Sequence, residues 1–178
     1  MSSVPEIAHA LEAQSGLRIV CIDGPAGAGK TTLSDELCRL FPQAVVVHMD
    51  DLYDGWENAL DERLTMRLAN SIIEPVRAGT PLRISKYNWH TTQFGEVITL
   101  PYTDLLIIEG VGAAQTEMRD IATITVWIDI DEIIGKQRVL NRDGESVAPF
   151  IDQWQKDEKS HHEQHKTRAS CHFVVTSS

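Results

Sequence analysis

Residues 23–32 read DGPAGAGKTT, and no other stretch of the chain constrains its fold as tightly. Glycine loses more conformational freedom on folding than any other residue, so an ordered glycine-rich run needs something to hold it. Gly24, Pro25, Ala26, Gly27, Ala28, Gly29, Lys30 and Thr31 fit the pattern G-x-x-x-x-G-K-[ST]. Small side chains at this spacing let successive backbone N–H groups converge on phosphate oxygens, and a helix following the loop turns its N-terminus toward the same anion. The pattern assigns Lys30 to the β- and γ-phosphates of a nucleoside triphosphate and the Thr31 hydroxyl to Mg2+. Thr32 either touches the α-phosphate or is a plain first-turn hydroxyl. A loop of this kind needs a buried strand before it and an amphipathic helix after it. Residues 17–22 (LRIVCI) supply the strand, and residues 31–40 (TTLSDELCRL) place Leu33, Leu37 and Leu40 at helical spacing before Pro42 stops them.

Four further apolar runs read as strands: residues 44–48 (AVVVH), 105–109 (LLIIE), 124–130 (ITVWIDI) and 173–176 (FVVT). Continuous apolar strands separated by helical patterns imply a parallel sheet covered on both faces. The expected fold is therefore three-layer α/β, a five-stranded parallel sheet flanked by helices. An insert over about residues 51–103 departs from this rhythm. Within it, residues 61–77 predict a helix with Leu64, Leu68 and Ile72 on one face, and residues 82–87 and 96–100 flank NWHTTQFG as a rim hairpin. Residues 141–149 (NRDGESVAP) follow a helix that Asp131 can cap and precede another starting near Phe150, a position that suits a mobile lid. With 178 residues and no interdomain linker, residues 1–178 are expected to form a single domain.

The apolar runs are too short to span a bilayer, and the N-terminus lacks the basic start and apolar stretch of a secretion signal, so a cytoplasmic protein away from membranes is expected. Cys21, Cys38 and Cys171 form no CxxC pair and read as buried thiols. A formal charge of −10 argues against a nucleic-acid polymer as partner, because that grip comes from clustered lysine and arginine. It is compatible with a nucleotide held by backbone N–H groups, a few cations and a metal ion.

The loop names a ligand and not a task. The second strand adds to it, because AVVVHMDDLYDGW ends a buried run on the adjacent carboxylates Asp50 and Asp51. In an open parallel sheet the carboxyl ends of the strands line the ligand crevice, which places Asp50 and Asp51 beside the phosphate loop. A carboxylate there accepts a proton from an attacking hydroxyl or helps to hold the metal. LLIIEGVG closes another apolar strand on Glu109, a Walker-B-type position that reaches Mg2+ directly or through water.

GPAGAGKTT, MDDLYDGW, KYNWH, IIEGVGA and QRVLNRDGE, in this order, resemble the uridine kinase-like branch of P-loop kinases, and within it the short, actinobacterial-type proteins. The resemblance runs from about residue 17 to residue 175 and implies the P-loop NTPase fold. It further implies ATP and Mg2+ as cofactors, a small-molecule phosphoryl acceptor, Asp50 as the base for the acceptor hydroxyl and Glu109 as a metal partner. Tyr53, Tyr87 and His90 would line the acceptor pocket, the rings stacking on a flat acceptor and the histidine bonding its edge. The family's lid would carry Arg138, Arg142 or both over the transferring group, with Arg142 the stronger candidate. Asn88 stands where uridine kinases generally carry an acid, and the lid and C-terminal part are poorer in arginine and shorter than theirs. These departures leave the acceptor open between a nucleoside and another small acceptor such as a nucleotide, a vitamin precursor or a sugar. A slow or non-catalytic ATP-binding regulator is the reading from a different class. His161, His162 and His165, within DEKSHHEQHKTR, are read as a solvated polar helix face and not as a metal site.

Overall fold

The structure, a computed structural model, describes residues 4–177. In chain order its elements are α1 (Val4–Glu12), β1 (Arg18–Asp23), α2 (Lys30–Leu40), β2 (Val45–His48), α3 (Glu62–Leu68), α4 (Glu74–Ala78), β3 (Arg83–Asn88), β4 (Gln93–Thr99), β5 (Leu105–Glu109), α5 (Thr116–Arg119), β6 (Ile124–Asp129), α6 (Glu132–Asp143), α7 (Ala148–His165), α8 (Thr167–Ser170) and β7 (Phe173–Thr176). Five strands form one parallel sheet in the order β2-β5-β1-β6-β7, which puts β1 and its phosphate loop at the centre.

Alternation along each strand divides the core into two layers. Val20, Ile22, Leu105, Ile107, Val126 and Ile128 face α1 and α2, where Ile7, Leu11, Leu33 and Leu37 meet them. Ile19, Cys21, Leu106 and Ile108 face the other side, against Leu64 and Leu68 of α3, Val139 of α6 and Trp154 of α7. Both faces being covered explains why the strands read as unbroken apolar runs. The chain thus has the expected three-layer α/β architecture.

Local departures have physical causes. The helix expected over 61–77 is divided into α3, a π-helical stretch Ala69–Ile73, and α4. Pro75, just inside α4, lacks an N–H and would crowd the carbonyl four residues back, and the wider π register relieves that clash. The hairpin forms as the antiparallel pair β3–β4, with a bulge between Ser85 and Tyr87. The segment expected as a lid is mostly helical: residues 141–143 end α6, Gly144–Ser146 make one 3-10 turn, and α7 begins at Ala148. Helix α1 has no counterpart among the sequence expectations. Among the described residues no helix is long and apolar enough to cross a membrane.

Candidate active site

Close backbone approach shapes the phosphate loop. Gly24 has φ +141°, and a Cβ there would lie 2.5 Å from the Ile128 carbonyl oxygen of β6. Gly27 has φ +79°, and its Cβ would lie 2.3 Å from the carbonyl oxygen of Gly135 in α6. Only glycine fits either place, so the loop is wedged between the end of β6 and the first turn of α6. Lys30, the first residue of α2, is buried, and its Nζ donates to the carbonyl oxygens of Gly24 at 2.7 Å and Pro25 at 2.8 Å. Ala28 is also buried, whereas Thr31 and Thr32 are exposed at the start of α2.

The parallel ladder delivers the acids to this loop. Register pairs Glu109 of β5 with Ile22 of β1 and with His48 of β2. Thr31 Oγ1 donates to Glu109 Oε1 at 3.1 Å, and His48 Nδ1 lies 2.6 Å from the same oxygen. That hydrogen bond raises the His48 pKa above its ordinary value. Asp50 follows in the 3-10 turn Met49–Asp51, walled by protein yet open to water at the cleft floor. Desolvation by the surrounding walls and the nearby charge of Glu109 raise its pKa, against the opposing pull of Lys30, Arg142 and His48. Asp51 turns away and pairs with Lys86 at 2.7 Å. Thr31, Glu109 and Asp50 are hard oxygen donors, the set that suits Mg2+ completed by phosphate oxygens.

On the hairpin side, Tyr87 is buried while His90 is exposed beyond the end of β3. Together with Asp51, Lys86, Asn88 and Trp89 they line a cavity of about 540 Å3. Asn88 Oδ1 accepts from the backbone N–H groups of His90 and Thr91, so it shapes the hairpin turn. Trp89 Nε1 donates to the Asp50 carbonyl oxygen at 3.0 Å and ties the hairpin to the acidic turn. Tyr53 departs from expectation. It is fully buried, its hydroxyl donates to Val111 O at 2.8 Å, and its ring packs edge-on against Trp154. Its position is in the core under the cleft and not on an open pocket wall.

The two arginines also differ from the expected ranking. Arg138 Nη1 reaches Gly27 O at 3.4 Å and Ser177 Oγ at 2.7 Å, so Arg138 lies on the phosphate loop. Arg142 is exposed and makes two bonds to Asp143, at 2.7 and 2.6 Å, although its charge is felt at Asp50.

The solvated reading of the histidines is overturned. His161 is buried with Nδ1 3.2 Å from Leu60 O, His162 Nε2 is 3.0 Å from Asp23 Oδ1, and His165 Nδ1 accepts from the Thr116 N–H at 3.2 Å. Glu158, on the same helix, is buried too and accepts from the Ala26 N–H. Helix α7 crosses the loop, so one of its faces is interior although its composition is polar. Among the described residues no group of three or more His, Cys, Asp or Glu side chains is arranged to hold a metal by itself. Sequence reasoning missed Asp23, His48 and Glu158 and misread His162. Asp23 carried a signal, since it is a carboxylate closing an apolar run, and it is fully buried.

A central β1, the G-x-x-x-x-G-K-T loop leading into α2, and acids at the ends of β2 and β5 define the three-layer P-loop NTPase fold. A solved structure described as a possible uridine kinase from Bacillus stearothermophilus shares it, with a TM-score of 0.73 at 21% identity, covering 98% of this chain and 97% of that one. No family model matches the sequence. The chain is similar to the uridine kinase of Staphylococcus haemolyticus, 26% identical over 165 residues and covering 82% of this chain and 80% of that protein. It is also similar to the uridine kinase of Borreliella burgdorferi strain ZS7, 24% identical over 154 residues, 77% and 74% of the two chains. The inorganic pyrophosphatase TTM1 of Arabidopsis thaliana is 27% identical over 151 residues, which are 78% of this chain and only 23% of that protein. The chain therefore spans less than a quarter of the plant protein's length.

Proposed function

We propose that this chain is an ATP- and Mg2+-dependent kinase that transfers the γ-phosphoryl group to a hydroxyl of a small molecule, with a nucleoside-like acceptor favoured. The observation that carries this reading is the convergence of three strand ends. Thr31 is bonded to Glu109 at 3.1 Å, and Asp50 lies close enough to Lys30 and Glu109 for each charge to shift its pKa. Phosphate-binding groups, metal-binding oxygens and a candidate base thus share one cleft. The similarity to uridine kinases along three quarters or more of the chain supports the nucleoside preference.

In this reading the loop N–H groups and Lys30 bind the phosphates, and Thr31 and Glu109, with Asp50 nearby, would hold Mg2+. The ion would neutralise charge on the β- and γ-phosphate oxygens. Asp50 takes the proton of the acceptor hydroxyl as its oxygen forms the bond to the γ-phosphorus and the bond to the β-phosphate oxygen breaks, leaving ADP. A carboxylate with a raised pKa is a better proton acceptor than an ordinary one. Arg138, already on the loop, and Arg142, once released from Asp143, would stabilise charge on the transferring group. Tyr87, His90 and Trp89 would form the acceptor wall, with Tyr53 supporting it from beneath.

An ADP-release screen with nucleosides, nucleotides and small alcohols tests the reading. At least one acceptor is expected to stimulate ADP formation, and Asp50→Asn should lower that turnover by about 10²–10⁴-fold while nucleotide binding stays nearly intact. Full turnover by Asp50→Asn would remove the base assignment. Nucleotide binding without ADP release across the whole panel would favour a regulator.

A further inference from the structure

Helix α7 touches the phosphate loop through residues spaced four apart. Trp154, Glu158 and His162 therefore share one helix face. Glu158 is 4% exposed, and its Oε2 accepts from the Ala26 N–H at 2.9 Å and from Trp154 Nε1 at 3.0 Å. One turn on, His162 Nε2 lies 3.0 Å from Oδ1 of the buried Asp23. Asp23 in turn accepts from the N–H groups of Gly24 at 2.7 Å, Gly112 at 3.1 Å and Ala114 at 2.9 Å. One helix face thus holds both the root of the loop and its third residue.

Two carboxylates buried at the loop are costly unless donors satisfy them, and apolar side chains would attach a helix there at least as well. What the carboxylates supply is direction. Bonds from N–H to an ionised acceptor are short and strongly oriented, and they fix the plane of the peptide that donates. Burial raises the Glu158 pKa, while Lys30 and the Ala26 N–H pull it back toward the charged form. Close backbone packing holds the loop on the side of β6 and α6, whereas on the α7 side Glu158, His162, Pro25, Trp127 and Ile130 border a cavity of about 470 Å3, so there the hydrogen bonds and not packing set the geometry.

We propose that Glu158 is a positioning residue: by holding the Ala26 peptide, with His162 holding Asp23 beside it, α7 keeps the phosphate loop in its nucleotide-binding geometry. This rests on the nucleotide-binding reading of the loop. It adds a link by which the helix following the 3-10 turn governs the loop.

The test uses the full chain with MgATP and MgADP, comparing wild type, Glu158→Gln, Glu158→Ala and, as a control for the reading itself, Lys30→Ala. Glu158→Ala should raise nucleotide Kd and the KM for ATP by about tenfold, the loss expected for one charge-assisted bond, with kcat little changed. Glu158→Gln keeps an oxygen that can accept from Ala26 and should stay within about threefold of wild type. Unchanged binding by Glu158→Ala would overturn the proposal. Tighter binding would overturn it as well, because the carboxylate would then be competing with phosphate. Amide hydrogen exchange at Gly24 and at residues 26–29 without nucleotide separates the two claims. Faster exchange in Glu158→Ala supports the clamp even where wild type binds no nucleotide, a result that would sink only the reading of the loop, and unchanged exchange overturns the clamp. Should Glu158→Ala fail to fold, Trp154→Phe keeps a ring while removing the N–H that orients the carboxylate. It should shift KM in the same direction, and an unchanged KM together with unchanged exchange would count against the proposal.

Discussion

Tyr53 shows how a side chain beside a cleft can belong to the core. Its hydroxyl satisfies the Val111 carbonyl just past β5, and its ring meets Trp154 of α7 at a centroid distance of 5.2 Å. Tyr53→Phe removes the hydroxyl and leaves a buried carbonyl unpaired, which should cost about 1–3 kcal/mol. Urea denaturation checks that loss, and the acceptor KM should remain that of wild type; a KM raised several-fold without loss of stability would return Tyr53 to the acceptor wall. Residues such as Lys30, Asp50 and Glu109 were legible in the sequence because each breaks a pattern: a lysine after glycines, or an acid closing an apolar strand. Asp23 breaks the same pattern but merges visually with the glycine run. Glu158 and His162 were obscured by their neighbours, since DEKSHHEQHKTR averages to polar and only the four-residue spacing from Trp154 marks the interior face.

Among the elements, the strands and their parallel order followed from apolar runs, because both faces of the sheet are buried. The junctions did not, because they depend on contacts between distant segments. The sharpest is that between α6 and the phosphate loop. Gly135 looks like a weak point inside a helix, yet a Cβ there would lie 2.7 Å from the Ala26 carbonyl oxygen. A Cβ is fixed to its Cα and the Ala26 oxygen is backbone, so the contact cannot be relieved by a side-chain rotation. Gly135→Ala should push α6 from the loop, lower stability by about 1–3 kcal/mol and raise nucleotide Kd several-fold. Thermal unfolding and MgADP titration measure the two effects. Wild-type values in both would mean that α6 and the loop move freely against each other. The same dependence on distant contacts explains the segment between α6 and α7. Polar and turn-forming residues suggested an open lid, whereas α6 extends through Asp143 and α7 begins at Ala148, leaving only a 3-10 turn between them.

At the scale of the molecule, α7 joins the insert, the phosphate loop and the segment after β5, and its interior histidines make that union sensitive to acid. His161 is held neutral by burial and by His165 beside it, its pKa lowered from 6.5 to about 4. Between those values the unfolded chain binds a proton that the folded chain excludes, so stability falls as pH falls from about 6.5 to about 4. The displacement corresponds to about 3 kcal/mol, a large share of an ordinary domain's stability. His165 is shifted in the same direction and adds to the loss. His48 opposes it: with its pKa raised chiefly by its bond to Glu109, its contribution is present at acidic pH and fades as pH rises through its folded value. Asp23 acts later. Burial would raise its pKa, but His162 and the N–H groups of Ala114 and Gly24 outweigh that and hold it below 3.8, so its contribution is lost only under stronger acid. Denaturation of wild type and His161→Asn at pH 4.5, 5.5 and 7.5 isolates the histidine. Asparagine keeps a donor for Leu60 O and cannot titrate, so the variant should lose less stability on acidification than wild type. Equal slopes would place the acid sensitivity elsewhere. A shallower slope would mean that the neutral ring of His161, buried on the α7 face that also holds Ala26 and Asp23, carries a share of the acid sensitivity.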